Sequence, residues 1–185
     1  KGIARGIFSN ESGLGSAPIA AAAAKSNEPV RQGLISMLGT VIDTIIICTM
    51  TGLSIIITGS WNVGLDGVDD TTRAFQVGLP FPAQVSSFLL MMCLVFFAFT
   101  TILGWDYYSE RCLDYLSHNN AKAVKVFRWL YIACVFIGPY MTVSAVWTIA
   151  DIFNGLMAIP NLIALLALSG IVARETKQYF KNFKK

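Results

Sequence analysis

The sequence predicts an all-α integral membrane protein in which one broken helix precedes four membrane-spanning helices. Hydrophobic residues make up 55% of the 185 residues and charged residues only 14%, so a water-soluble domain would expose too much apolar surface. Three stretches, residues 74–105, 129–150 and 152–173, contain no charged side chain. Each reaches the roughly 20 apolar residues that a helix needs to cross the hydrocarbon core.

The first element is the polar and breakable run RGIFSNESGLGSAPIAAAAAKSNEP at residues 5–29. Glycine tolerates backbone conformations that end a helix, and proline suits the first turn of a new one. We therefore predict a short helix up to about Ser9, an unwound stretch at residues 10–15, and a second helix that starts near Ser16, with Ser16 as its cap. The stretch 1–28 would then be a broken membrane helix with an inward loop.

This broken helix predicts a binding site for an anion. Discontinuous membrane helices expose backbone dipoles to substrates and coupling ions, and the start of the second half would point its positive end at a group such as an amino-acid carboxylate. The alternative interpretation is a surface loop followed by a juxtamembrane amphipathic helix. PIAAAAA lacks the polar face that such a helix needs.

The four spans follow at residues 33–59, 83–106, 125–150 and 152–173. They leave an outward loop at 60–82, an inward loop at 107–124, a short outward turn around Asp151 and a basic tail at 174–185. We interpret Trp147, Asp151, Asn154 and Pro160 as anchors and helix breakers around that turn. His118 reads as a solvated loop residue.

Alternating loops differ in charge, and this predicts the orientation. Basic residues gather in the loops that the positive-inside rule assigns to the cytoplasm. They are Lys25, Arg31, Arg111, Lys122, Lys125, Arg128, Arg174, Lys177, Lys181, Lys184 and Lys185. The outward loop instead carries Asp66, Asp69 and Asp70 against Arg73. We expect a multi-pass protein of the cytoplasmic membrane with a cytoplasmic C-terminus, whose net charge of +3 reflects contact with the lipid bilayer and not with nucleic acid.

The remaining residue patterns give no indication of an enzyme. No nucleophile–base arrangement, metal-ligand cluster or phosphate-binding loop is visible, and we expect no cofactor. The four cysteines lack a disulfide or metal spacing and are interpreted as small hydrophobic residues. Because the chain has no initiator methionine and no signal-peptide pattern, we interpret Lys1 as an artificial or truncated start.

Three motifs resemble those of the alanine or glycine:cation symporter family, the sodium:alanine symporters. They are GIARGIFSNESGLGSAPIAAAAA, DTIIICTMTGL from Asp43, and FAFTTILGWDYYSERC from Phe97. Ser12, Ile19, Asp106 and Ser109 depart mildly from the family pattern. The resemblance runs over nearly the whole chain and implies sodium-coupled symport of alanine or glycine by alternating access, with sodium as the coupling ion.

The family resembles the amino acid–polyamine–organocation superfamily, which has a leucine-transporter-like core of two inverted repeats, each beginning with a broken helix. The resemblance implies that this chain is the second repeat, the C-terminal part of a transporter whose N-terminal repeat is missing here. One alternative is a proton-coupled amino-acid transporter of the same superfamily, in which Asp43 or Glu11 should be essential. Another is a non-transporting membrane subunit or remnant.

Two acidic residues are candidates for coupling or gating. Asp43 lies inside the span at 33–59, where an ionisable side chain is costly and usually faces a polar pathway or a partner. A structural hydrogen bond to neighbouring helices, aided by Thr40 and Thr44, is the alternative. Glu11 either holds the unwound segment against Arg5 or lines the ion path, and the residues do not decide between these roles.

The resemblance also implies sites for sodium and substrate. Sodium prefers oxygen ligands, and the span at 83–106 matches the core helix that would bind it through Thr100, Thr101 and the backbone carbonyl of Phe97. Trp105 would border the substrate. Without the resemblance, the threonines read as contacts between helices and Trp105 as an interfacial aromatic. The candidates for substrate or ion contact in the broken helix are Ser9, Asn10, Gly13, Gly15 and Ser16.

Overall fold

The structure is a computed structural model that describes residues 2–65 and 67–183, and these residues form helices and turns with no strand. The prediction of an all-α protein is confirmed. Three of the described helices are long and apolar enough to cross a membrane: Pro29–Ile57, Ala83–Leu116 and Val143–Asn182. Lys1, Asp66, Lys184 and Lys185, which the sequence interpretation used, lie outside the described residues.

The chain divides into two compact units. One unit comprises Lys1–Gly39 and Asp106–Lys185, and the other comprises Thr40–Trp105. The candidate residues of the broken helix belong to the first unit, whereas Asp43, Phe97, Thr100, Thr101 and Trp105 belong to the second.

The first unit opens with the predicted interruption. Helix α1 spans Gly2–Ser9, and helix α2 spans Ala17–Ala22. Pro18 stands at the start of α2, where its missing N–H costs nothing. Helix α2 stops after six residues, at Ala22, although the alanine run continues to Ala24.

Helix α3, Pro29–Thr40, begins on a proline four residues earlier than the predicted span. It continues without a break into a π-helical segment, Val41–Cys48, and then into α4, Thr49–Ile57. No residue pattern predicts these π-helical turns, which widen the helix around Asp43. Such turns are rare and occur frequently at functional sites.

In the second unit, the segment after α4 is folded and packs on the end of that helix, although the sequence predicts a loop there. A short 3₁₀ turn at Ser60–Asn62 leads to helix α5, Val68–Gly78. Asp69 and Asp70 lie in its first turn, where their negative charges interact favourably with the positive end of the helix dipole. Gln76 donates a hydrogen bond of 2.8 Å to Ser87 on the next helix. Small buried residues, Ser60, Ala74 and Ser86, allow this close packing.

Helix α6 spans Ala83–Leu116 and helix α7 spans Ala121–Ile137. The inward loop predicted at 107–124 therefore shrinks to a tight turn at residues 117–120, in which His118 and Asn119 both adopt positive φ. Asn120 then caps α7, because its side chain accepts a hydrogen bond from the N–H of Lys122. The polar residues from Asp106 to Asp114 extend α6 and do not end it.

The turn predicted around Asp151 is not present. The chain breaks instead after α7, at a 3₁₀ turn formed by Gly138–Tyr140, and helix α8 runs from Val143 to Phe183 through Asp151 and Pro160. Pro139 cannot continue a helix, and the Thr142 hydroxyl accepts a hydrogen bond from the N–H of Ala145 and so caps α8. The predicted spans at 125–150 and 152–173 are therefore divided at the wrong residue.

The opening segment of the chain runs alongside α8 within the first unit. Arg5 contacts Trp147 and Asp151, and Gly15 approaches Asn161. Glu28 and Arg31 line a cavity of about 600 Å³ together with Tyr179 and Asn182 near the far end of α8. Residues later in the opening segment thus contact residues later in α8, so the two segments run in the same direction. The interruption lies beside the middle of α8.

Candidate functional site

The interruption between α1 and α2 is built from left-handed backbone. Glu11, Gly13 and Gly15 have φ angles of 51°, 77° and 86°, and each turns the chain away from a helical path. Positive φ is costly for a residue with a Cβ such as Glu11 and is normal for glycine. The N–H of Ser12 bonds the carbonyl of Ile7 at 3.1 Å, which ends α1 with a widened turn.

This conformation leaves backbone donors available. Among the described residues, none accepts a hydrogen bond from the N–H of Gly13 or Gly15. Backbone N–H groups that line a turn of this kind form a concave surface that suits an anion. The interruption therefore offers two backbone N–H donors, those of Gly13 and Gly15.

Glu11 bridges the two sides of the interruption. Its Oε2 accepts a hydrogen bond of 2.7 Å from the Ser16 hydroxyl, and the Tyr108 hydroxyl of α6 also donates to its carboxylate. Ser16 is only 1% exposed. Hydrogen bonds to a charged group contribute about 1.5–3 kcal/mol each, so these contacts hold the unwound segment in place.

The structure closes one open alternative and corrects one expectation about these residues. Glu11 does not hold the segment against Arg5, because the Arg5 guanidinium binds Asp151 of α8 at 2.6 Å. Ser16 does not cap α2 through its side chain, since its hydroxyl is turned to Glu11. Helix α2 has only six residues, so the dipole at its start is small and attracts an anion weakly. The backbone N–H groups of the turn are the stronger candidates for anion binding.

Two side chains of α8 pack directly on the interruption. An alanine Cβ built on Gly15 would lie 3.1 Å from Oδ1 of Asn161, and one built on Gly13 would lie 3.8 Å from Leu162. Glycine is thus needed at position 15 for space as well as for φ. The sequence interpretation missed Asn161, since nothing in its neighbourhood signals contact with a segment that lies more than a hundred residues away.

Ser9 and Asn10 stand at the end of α1. The Asn10 side chain donates to the carbonyl of Gly6 at 3.0 Å, the same carbonyl that its own N–H uses. These two hydrogen bonds to one carbonyl close the last turn of α1. A role for Ser9 and Asn10 in substrate contact stays a prediction.

The predicted sodium ligands lie together on α6, in the second unit. The hydroxyls of Thr100 and Thr101 both donate to the carbonyl of Phe97, at 2.9 and 2.8 Å. Three oxygens are therefore gathered on one exposed stretch of the helix. Back-bonding of this type is common for threonine in membrane helices, and sodium binding here stays a prediction, as does a role in the substrate wall for the half-buried Trp105.

Asp43 lies in the π-helical segment, half-buried and next to Thr44. A carboxylate at the centre of an apolar span together with an irregular helix is a combination typical of functional sites in membranes. Its role in coupling or gating stays a prediction.

A second ion pair was also missed by the sequence interpretation. Glu110 of α6 is 7% exposed, and its carboxylate accepts a hydrogen bond of 2.5 Å from Nε of Arg128 on α7. The sequence places Glu110 in an inward loop and Arg128 at the start of a span, and no local pattern pairs them. This pair holds α6 and α7 together near the turn at residues 117–120.

Comparisons with known proteins identify the family of the chain. The Sodium:alanine symporter family matches residues 1–185. An uncharacterized transporter of Haemophilus influenzae is 55% identical over 99% of the chain, and the sodium/alanine symporter AgcS of Methanococcus maripaludis is 48% identical over 96%. The probable sodium/glutamine symporter GlnT of Bacillus subtilis is 38% identical over the whole chain. No solved structure matched the chain.

The chain corresponds to part of these relatives. It spans 40% of the Haemophilus protein, 39% of AgcS and 38% of GlnT. The family and these relatives are transporters and not enzymes, and the three long apolar helices are those of a membrane protein. With the family matched from the first residue to the last, this chain belongs to the sodium:alanine symporter family.

Proposed function

We propose that the chain is the carboxyl-terminal part of a sodium-coupled symporter that carries alanine or glycine across the cell membrane by alternating access. The observation that carries the proposal is the interruption at residues 10–16, where the N–H groups of Gly13 and Gly15 lack partners among the described residues. In a member of this family, those donors suit the carboxylate of a small amino acid.

The rest of the transporter completes the site in this proposal. The chain spans about two fifths of the length of its relatives, and the remainder would supply the other inverted repeat of a leucine-transporter-like core and with it the other half of the substrate site. The basic residues Arg174, Lys177 and Lys181 at the end of α8 would lie on the cytoplasmic side, next to anionic lipid.

The experiment that tests the proposal is uptake of radiolabelled alanine into proteoliposomes that contain the full-length protein. We expect uptake under an inward sodium gradient and little uptake when potassium replaces sodium at the same pH and membrane potential. Uptake that is indifferent to sodium would contradict sodium coupling. Unlabelled glycine and glutamine are added as competitors in the same assay, and the amino acid that inhibits alanine uptake at the lowest concentration is assigned as the preferred competitor.

A substitution at Thr101 tests the ion site. Replacing Thr101 by alanine is expected to raise the sodium concentration for half-maximal uptake about tenfold, because one oxygen ligand is lost and an order of magnitude corresponds to about 1.4 kcal/mol. Thr101→Ser is the matched control, since it keeps the hydroxyl and removes a methyl group. An identical sodium dependence in the wild type and both variants would show that Thr101 only bonds the Phe97 carbonyl.

Trp105 is proposed to restrict the substrate to small side chains. Replacing it by leucine should broaden uptake, so that glutamine competes with alanine at a concentration at least about fivefold lower than in the wild type; loss of one steric contact is worth about 1 kcal/mol. The measurement is the inhibition of alanine uptake by a series of amino acids of increasing size. An unchanged order of inhibition would remove Trp105 from the substrate wall.

Proton coupling is the second candidate function. Glu11 is a titratable group at the centre of the interruption with hydroxyl donors from Ser16 and Tyr108, and a Bacillus subtilis relative that is 33% identical is named a putative sodium/proton-dependent alanine carrier. Uptake driven by a proton gradient in the absence of sodium, and lost in Glu11→Gln, would favour it over sodium symport.

A further inference from the structure

Arg5 docks helix α1 on helix α8 through two side chains that lie one turn apart. Its guanidinium donates to both carboxylate oxygens of Asp151, at 2.6 and 3.3 Å, and lies 3.7 Å from the ring centre of Trp147. Trp147 and Asp151 are four residues apart and share a face of α8. One guanidinium is therefore held at its edge by a carboxylate and on its face by an indole.

A second contact from the same helix supports the first. The ring of Phe8 meets the ring of Trp147 edge-on, with centres 5.8 Å apart. Phe8 and Arg5 are three residues apart and share a face of α1. The two residues together place α1 on α8 in one register.

The contact is specific in geometry and is not enclosed by the rest of the unit. The side chains of Arg5 and Asp151 are 35% and 50% exposed, and α1 buries none of its eight residues. Separating the pair therefore strands neither charge in the packed interior of the unit, where an unpaired charge is most costly. A contact of this kind can break and re-form without unfolding the rest of the unit.

Arg5 lies close to the interruption, so loss of its contact with α8 would affect the position of the unwound segment. Arg5 lies four residues before Ser9, where α1 ends. Gly15, at the end of the interruption, packs separately on Asn161. Release of Arg5 together with the Phe8–Trp147 contact would therefore free α1, while the end of the interruption keeps its contact with α8.

We propose that Arg5, Trp147 and Asp151 form a reversible latch, closed in this structure, that must open in every transport cycle. The inference rests on the proposed transport function. The latch acts through α1, so its three members are positioning residues and touch neither substrate nor ion. A guanidinium fork is required, since only arginine can bind the carboxylate with two donors and stack on the indole at once.

The test is to lock the latch covalently in the full-length protein. Arg5→Cys and Asp151→Cys are combined in a protein whose other cysteines are serine, and the pair is joined with a short bifunctional thiol reagent that a reductant cleaves. Joining should reduce alanine uptake at least tenfold, and reduction should restore it. Full joining with unchanged uptake would overturn the latch. Each single-cysteine variant, treated in the same way, is the control for modification alone.

Charge exchange tests the latch without a crosslink. Arg5→Asp and Asp151→Arg should each lower the maximal uptake rate several-fold with less than a twofold change in the alanine KM, and the double exchange should recover much of the rate. Arg5→Lys should recover less, because lysine has no fork. A double exchange no better than either single variant, in proteins that all remain monodisperse, would contradict the pairing.

The two proposals can fail separately. Absence of sodium-driven uptake in the wild type would overturn the proposed function and leave the crosslinking rate as the measure of the latch. A latch that opens should give a crosslinking rate that differs when sodium, alanine or both are added. A rate that stays the same under every condition would count against it.

Discussion

Replacing Gly15 by alanine is expected to cut transport by the full-length protein at least tenfold. The backbone at Gly15 has a φ of 86°, a conformation that costs an L-residue about 1–2 kcal/mol. The added Cβ would also lie 3.1 to 3.3 Å from three atoms of Asn161, so Asn161 would have to move away from the interruption. The loss of transport is measured as sodium-driven alanine uptake, and the cost to stability is measured as the thermal unfolding midpoint.

Gly13→Ala is the matched control for this prediction. Its φ of 77° imposes a similar backbone cost, but its Cβ would meet only Leu162 at an ordinary contact distance of 3.8 Å. Gly13→Ala should therefore reduce uptake less than Gly15→Ala does. Combining Gly15→Ala with Asn161→Ala removes the two nearest atoms, Oδ1 and Cγ, although the Cβ at 3.3 Å remains. The double variant should recover part of the loss. Equal losses at both glycines, with no recovery in the double variant, would show that φ alone matters.

Removing the guanidinium of Arg128 should lower the thermal unfolding midpoint of the protein by several degrees. Arg128→Ala leaves the carboxylate of Glu110, which is 7% exposed, without the partner that bonds it at 2.5 Å. A buried charge that loses its partner destabilises more than the pair itself stabilises. Adding Glu110→Gln to Arg128→Ala removes the stranded charge and should restore part of the midpoint.

The control for Arg128 is an arginine in an exposed pair. Arg174 lies 3.7 Å from Glu175, and their side chains are 72% and 48% exposed. Arg174→Ala should leave the midpoint unchanged, because exposed pairs add little to stability. A similar loss in Arg128→Ala and Arg174→Ala would mean that the burial of Glu110 is not the cause.

Local chemistry explains which parts of the fold could be predicted. The interruption follows from the backbone needs of Gly13 and Gly15 and from Pro18, and it lies where these residues indicate. The break before α8 carries equally local signals, Gly138, Pro139 and the cap Thr142. The charge of Asp151 favours a turn at that residue instead, and the predicted break therefore lies too late in the chain. That carboxylate is accommodated inside α8 by its pairing with Arg5.

The contacts of the candidate site could not be read from the sequence in the same way. Asn161, Tyr108 and Asp151 each meet a residue of the opening segment that lies about a hundred or more positions away. Periodicity and capping rules describe neighbours along the chain and do not reveal such partners. The sequence leaves a pairing of Arg5 with Glu11 open because the two residues are close along the chain. In the fold, Arg5 binds Asp151, and Glu11 accepts hydrogen bonds from Ser16 and Tyr108.

The length of α8 has a mechanical consequence. Its 41 residues extend about 60 Å at 1.5 Å per residue, about twice the thickness of the hydrocarbon core. Asp151 lies near one end, Tyr179 near the other, and Asn161 close to the midpoint, where it touches Gly15. Pro160 lies inside α8 next to Asn161 and has no N–H to complete the helical hydrogen bonds, so α8 bends most easily at this point. A bend of about 10° there would move an end of the helix by about 5 Å. The unwound segment thus packs on the part of α8 that such a bend displaces least.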